Sequence, residues 1–198
     1  MGEDIHQRIY LKHRATGKYV NAHEICDWCP HEGSLFEEII PERNYSLFSL
    51  FGSRRGEYPS LAGAEYGMPD FLRGTVFDEY CISMNYYGFT WFKLPDFVKS
   101  IKEFGETLKD PVRYLDEDTN AHADWIELLD YIKDGKEGWY EKFAASYKEW
   151  LDYHRQMLDG VKKIDEILSR FVKIDEWCPA YNKLFDISET VFLFFFDN

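Results

Sequence analysis

The closing residues, Thr190-Val-Phe-Leu-Phe-Phe-Phe-Asp-Asn198, constrain the fold of this chain more than any other stretch. They are β-branched and aromatic and too short for a helix, so they read as a strand. Both faces of that strand are apolar, which requires cover on both sides and places it inside a sheet. Its best partner is the start of the chain. Ile5, Ile9 and Leu11 share one phase with Gln7, while His6, Arg8, Tyr10 and Lys12 take the other face. Arg14-Ala-Thr-Gly17 is a turn and Lys18-Tyr-Val-Asn21 a return strand, which makes a hairpin. Pairing the hairpin with the closing strand brings Asp4 and His6 near Asp197 and Asn198.

Between these ends the pattern becomes largely helical. Residues 22 to 40 are mixed, with Pro30 and Gly33 as breakers, and Asn44 is placed to cap a short helix that Gly52 ends. Residues 52 to 75 hold several Gly and Pro and read as a long surface loop. Tyr80 to Phe92 is aromatic-rich and reads as strand, with Gly88 marking a bulge or a close approach. Leu94-Pro-Asp96 opens a helix with Phe97, Val98 and Ile101 on its buried side. Trp125, Leu128, Leu129 and Ile132 form one apolar stripe, and a turn follows at 134–138. A longer stripe runs through Tyr140, Tyr147, Trp150, His154, Val161, Leu168 and Phe171 at gaps that fit a helical period, with Gly160 as a possible kink. The predicted fold is α+β: a small mixed or antiparallel sheet containing both chain termini, packed with helices that include a long C-terminal helical hairpin. Residues 1–105 and 186–198 form the sheet-containing core and 106–185 the hairpin insertion, in a single compact unit.

The chain has 198 residues, of which 45% are hydrophobic and 18% aromatic. A chain of that length buries about 70% of its unfolded surface, enough for a core without disulfides or metal. Its formal net charge of -13 argues against duplex nucleic acid and membrane surfaces as direct partners, since both favour a basic face. Met-Gly-Glu-Asp-Ile-His carries no apolar signal region, and the run Val191 to Phe196 is far too short to span a bilayer. The four cysteines then read as reduced thiols, and the expected location is the cytoplasm.

The densest group of metal-ligand residue types is His23-x-x-Cys26-x-x-Cys29-x-His31. Zinc takes four N or S donors, but all four here lie within nine positions and two spacings are tight for closure on one ion. A reduced structural loop is the other reading, and no cofactor is expected. Asp4 and His6 place two ligand-type side chains on one strand face, as in the first strand of some metal-dependent phosphoesterases, although the later motifs of those enzymes do not occur. Arg43-Asn44-Tyr45 with Arg54-Arg55 is the main basic and polar cluster. Arginine forks suit phosphate or carboxylate, and a neighbouring aromatic can stack on a base; pairing with the abundant acids is the alternative. Tyr86, Tyr87, Phe89 and Trp91 line a pocket or form core. No phosphate-loop, dinucleotide or nucleophile-elbow fingerprint occurs.

Four motifs in order (Met1-Gly-x-Asp4-Ile-His6, Arg43-Asn44-Tyr45-x-Leu47-Phe48, Gly67-Met-Pro-Asp70 and Val191-Phe192-x-Phe-x-Phe-Asp197-Asn198) resemble those of a group of uncharacterised bacteriophage proteins. The resemblance covers residues 1 to about 97 and the last eight. It implies a phage origin, the infected cell's cytoplasm and one cluster of polar motif residues. Where that group carries His-Ser-His before a Leu-x-Glu-Leu helix start, this chain has Tyr87-Gly-Phe89 and Leu94-Pro-Asp96-Phe97, so no role of those histidines is carried over.

Scattered polar motif residues usually converge on a pocket. The expected ligand site therefore comprises Asp4, His6, Arg43, Asn44, Tyr45, Arg55, Trp91, Asp197 and Asn198, with no catalytic residue assigned. The first expectation is a non-catalytic counter-defence protein that sequesters a small nucleotide-like anion. The second is an acidic inhibitor that blocks the nucleic-acid channel of a host defence protein, motivated by the charge and by Asp116-Glu-Asp118, Asp124, Glu127 and Asp130. A metal-dependent phosphodiester hydrolase using Asp4 and His6 is the third. The helical stripe offers a surface through which the chain could form a homo-oligomer.

Overall fold

The computed structural model describes residues 5–22, 45–52, 61–108, 134 and 138–197. Its strands are β1 (Ile5–His13), β2 (Tyr19–Asn21), β3 (Glu65–Tyr66), β4 (Tyr87–Lys93) and β5 (Phe185–Phe196). They form one antiparallel sheet in the order β2-β1-β5-β4-β3. The helices are α1 (Tyr45–Phe51), α2 (Val76–Ser83), α3 (Leu94–Leu108), α4 (Trp139–Val172), α5 (Ile174–Trp177) and α6 (Pro179–Leu184). The fold class is α+β.

β5 is the central strand, and every residue from Val191 to Phe196 is buried. It pairs with β1 from Ile5↔Phe196 to His13↔Phe185 and with β4 from Tyr87↔Phe196 to Lys93↔Val191. The first and last strands are thus hydrogen-bonded neighbours. Met1 to Asp4 and Asn198 lie outside the described residues. The strand begins at Phe185, five positions before the β-branched run, because Phe185 and Ile187 are also buried and α6 delivers the chain directly to the sheet.

Phe192, Phe194 and Phe196 point to one face, where they meet α1, α3 and α4. The helices supply this layer at helical spacing: Leu94, Phe97, Ile101, Phe104 and Leu108 from α3, and Met157, Val161, Ile164, Leu168 and Phe171 from α4, all buried. Burying each such side chain contributes about 1.5–3 kcal/mol. α4 runs unbroken through Gly160, whose missing side chain admits Leu47 of α1: a Cβ there would lie 2.5 Å from the Leu47 Cδ1. The side chains of 140–151 and His154, and the first arm expected at Trp125 to Ile132, lie outside the described residues.

Two sequence expectations need correction. Residues 61–75 are not continuous loop: they contain β3 and a single 3-10 turn at Asp70–Leu72, and Leu61 is buried. Tyr80 to Phe92 is not one strand, because α2 occupies Val76–Ser83 and β4 starts at Tyr87. Thr75 caps α2 by accepting from the Asp78 N–H at 3.4 Å, while Asp78 accepts from the Gly74 N–H at 2.9 Å. At the other end Asn85 takes a left-handed φ of 56°, and the Tyr86 and Asn85 amides bond back to the Cys81 and Ile82 carbonyls. This Schellman closure ends the helix and swings Tyr86 onto the sheet.

Candidate functional site

The face of the sheet turned away from α1, α3 and α4 carries the polar chemistry. Strand alternation brings His6, Arg8, Tyr10 and Lys12 of β1 to this side, beside Val191, Leu193 and Phe195 of β5 and Phe89, Trp91 and Lys93 of β4. The pairing Arg8↔Leu193↔Trp91 forms one row across the sheet, and Tyr10↔Val191↔Lys93 the next. The segment between β3 and β4 covers the β1 side. Phe71 stacks on Tyr19 at 3.9 Å, and Phe77 lies against Tyr10 and Phe195 at 6.4 and 5.8 Å. Trp91 and Lys93 on β4 remain half-buried.

One polar cluster sits where β1 begins and β5 ends. Nε2 of His6 donates to Oδ2 of Asp197 at 3.0 Å, with the two side chains 35% and 31% exposed. The imidazole is stacked on Phe195 at 5.2 Å and tilted against Tyr86 at 5.0 Å. Among the described residues Nδ1 of His6 has no hydrogen-bond partner. A hydrogen bond to Tyr80, followed by burial, holds the Tyr86 phenol above its ordinary range, so it stays protonated. The Arg8 guanidinium lies 4.4 Å from the Phe77 ring centre, a cation–π contact. Burial pushes the nearby Cys81 thiol up to about 11, which leaves it protonated and without nucleophilic character at neutral pH.

The second cluster lies at the other end of the same face. β5 advances from Val191 to Asp186 while β1 advances only from Tyr10 to Lys12, and the surplus residues bulge. That bulge carries Glu189 between two lysines. Lys93 Nζ donates to both carboxylate oxygens at 3.1 and 2.9 Å, and Lys12 Nζ to Oε2 at 3.2 Å. Tyr19 closes the group beneath Lys12, whose ammonium is 5.8 Å from the ring centre. The Lys93 hydrogen bond holds the Glu189 carboxyl below its usual range, and the same bond holds Lys93 above its own. Burial first, then Glu189, raises the Tyr19 phenol.

The lowered Glu189 value has a pH consequence of definite sign. A carboxyl bound more tightly as its anion in the folded state stabilises above its unfolded value of about 4.3, and that contribution disappears as pH falls through the lowered folded value. With 28% to 40% of these side chains exposed, the effect is about 0.5–1 kcal/mol. Glu189→Gln is therefore less stable than wild type at pH 7 in urea unfolding, and the two curves converge in acid once pH has fallen through the lowered folded value of Glu189.

Of the site residues expected from sequence, His6, Trp91 and Asp197 share this face, and His6 and Asp197 touch. Trp91 stands two strands away from His6. Tyr45 opens α1 with its side chain outside the described residues, and Asp4, Arg43, Asn44, Arg55 and Asn198 lie outside them altogether. So do His23, Cys26, Cys29 and His31; among the described residues no group of three or more ligand-type side chains could hold a metal. The sequence reading missed Lys12, Lys93, Glu189, Tyr19 and Arg8 as site residues. The alternation of β1 already put Arg8 and Lys12 on the His6 face, but Glu189 is found only once β5 is known to begin before Thr190. A separate groove of about 360 Å3, between the start of α3 and the end of α4, is lined by Leu94, Val98, Val172 and Ile187, and its lining among the described residues carries no charged side chain to orient a ligand. No helix among the described residues is long and apolar enough to cross a membrane. No protein-family model, curated protein or solved structure matches the chain.

Proposed function

We propose that the polar sheet face binds a small anionic, nucleotide-like ligand without transforming it, and that the protein serves a phage by sequestering such a signal in the infected cell. The observation that carries this reading is a local concentration of cations. In a chain of net charge -13, this face gathers the cations Arg8, Lys12 and Lys93, with the imidazole of His6, among the carboxylates of Glu189, Asp197 and Glu65. Those cations alternate with half-buried aromatics, the combination that holds an anion and a flat ring together. A protonated Cys81 and an imidazole tied to Asp197 supply orientation and hydrogen bonds rather than a nucleophile.

A ligand that binds the folded chain at a hundred times its dissociation constant stabilises it by about 2.7 kcal/mol. For a chain of this size that raises the melting temperature by about 5 °C or more. A thermal-shift panel of mononucleotides, cyclic nucleotides and ADP-ribose-type compounds is expected to contain at least one such hit. A flat response across the panel ends this reading. The -13 charge favours a second one, an acidic protein docking on a basic host defence complex. Its association would weaken steeply between low and high salt, whereas binding in the half-buried face depends less on ionic strength.

A further inference from the structure

We infer that Lys12 and Lys93 seat the anionic group of the ligand while Trp91 stacks its ring, so that the site takes a flat ring carrying one phosphate or carboxylate. This rests on the ligand-binding reading above. Two ammonium groups converge on the single carboxylate of Glu189, which leaves the cluster with a net positive charge. Each ammonium has three donors, and neither lysine has another hydrogen bond among the described residues. Donors remain for an incoming oxyanion. Tyr19 beside them is a neutral phenol and adds no opposing charge.

Trp91 supplies the other half. It precedes Lys93 by two positions on the same strand face, about 7 Å, comparable with the span from base to phosphate in a mononucleotide. It is half-buried, and among the described residues its indole has neither a ring partner nor a hydrogen bond. The nearby acids fix the order of the two parts. Glu65 faces Trp91 across β3, so the neutral ring belongs there and the anion at the lysines, where Asp96 acts only at longer range on Lys93. The His6–Asp197 pair stands six residues from Lys12 along β1, about 20 Å, beyond the reach of a mononucleotide.

Isothermal titration of the full chain with AMP, GMP and UMP, with adenosine and inorganic phosphate as half-ligands and with anthranilate as a planar carboxylate, tests this. At least one ring-bearing anion is expected to bind, with adenosine and phosphate tenfold weaker or worse. A nucleotide assigns the phosphate class, and anthranilate in its place the carboxylate class. Lys93→Ala and Lys12→Ala each weaken binding about tenfold, and Lys99→Ala, which removes a charge from an exposed pair on α3, leaves it unchanged. Glu189→Gln tightens binding at least threefold although it destabilises the fold, an opposition that a purely structural cluster would not produce. Should Glu189→Gln fail to fold, the two lysine variants decide. Binding that survives both lysine substitutions overturns the lysine seat and leaves the ligand-binding reading standing. Wild-type protein that binds none of these probes at millimolar concentration, together with a flat thermal-shift panel, overturns both.

Discussion

Phe194→Ala lowers the free energy of unfolding by about 3–5 kcal/mol, the range for removing a fully buried aromatic side chain. The side chain has no exposed surface and sits at the centre of the helix-side core. Its ring lies 4.1 Å from that of Phe51 on α1 and 5.7 Å from that of Phe97 on α3. Truncation therefore removes the contact by which the central strand holds two helices at once. Relaxation into the gap is limited, because β1 and β4 fix the backbone of β5 on both sides. The loss corresponds to a fall in melting temperature of roughly 10 °C for a chain of this size. Val76→Ala, at a position 83% exposed, changes stability by less than about 0.5 kcal/mol and serves as the control. Urea unfolding measures both. A Phe194→Ala loss no greater than that of the control would mean that β5 is not the centre of the core.

The closing run of aromatics was the most legible part of the chain because only one environment suits it. A strand with six consecutive apolar residues has no solvent face, and period-two alternation then needs no partner to be recognised. The opening hairpin and the two long helices were legible for the related reason that their apolar stripes keep a constant period. α2 was not. Its eight residues carry just Phe77 and Cys81 toward the sheet, while Val76, Tyr80 and Ile82 are exposed, so the stripe that would mark a helix is too thin to compete with the strand preference of its aromatics. The informative signal was local, in the cap Thr75-Val-Phe-Asp78 and in Asn85, whose short polar side chain tolerates a left-handed backbone.

The candidate site divides along the same line. His6, Arg8 and Lys12 could be placed on one face from alternation alone, because β1 is regular up to Tyr10. Asp197 followed as the partner of His6 from the pairing of the two chain ends, but the partner of Lys12 and the aromatic neighbour of His6 did not. Glu189 reaches Lys12 and Lys93 only through the bulge in β5, and a bulge shifts the phase on which alternation arguments depend. Tyr86 reaches His6 only because the Schellman closure turns the chain at Asn85. In these two contacts one half lay in a periodic segment and the other in an interruption of one.

Gly88→Val is the second large effect expected, at about 2–5 kcal/mol. Gly88 has a φ of +65°, which costs an L residue about 1–2 kcal/mol and a β-branched one more. It also lies where β4 changes register against β5, and a Cβ there would stand 3.0 Å from Cδ2 of Phe196. Overpacking against a ring held in the core adds about 1–3 kcal/mol. Gly67 separates the two terms: its φ is +88°, but a Cβ there meets nothing within 4 Å, so Gly67→Ala reports the backbone cost alone. Gly88→Ala should exceed Gly67→Ala, and the excess should shrink when Phe196 is replaced by leucine, a coupling that a double-mutant cycle reads directly. The consequence reaches the polar face, since Phe196 is the residue before Asp197. Moving its ring shifts the carboxylate that His6 holds at 3.0 Å, so the His6 imidazole resonances move in Gly88→Ala and stay fixed in Gly67→Ala. Equal costs for the two alanine variants, with unchanged His6 resonances in both, would show that the glycine slot does not position the end of β5.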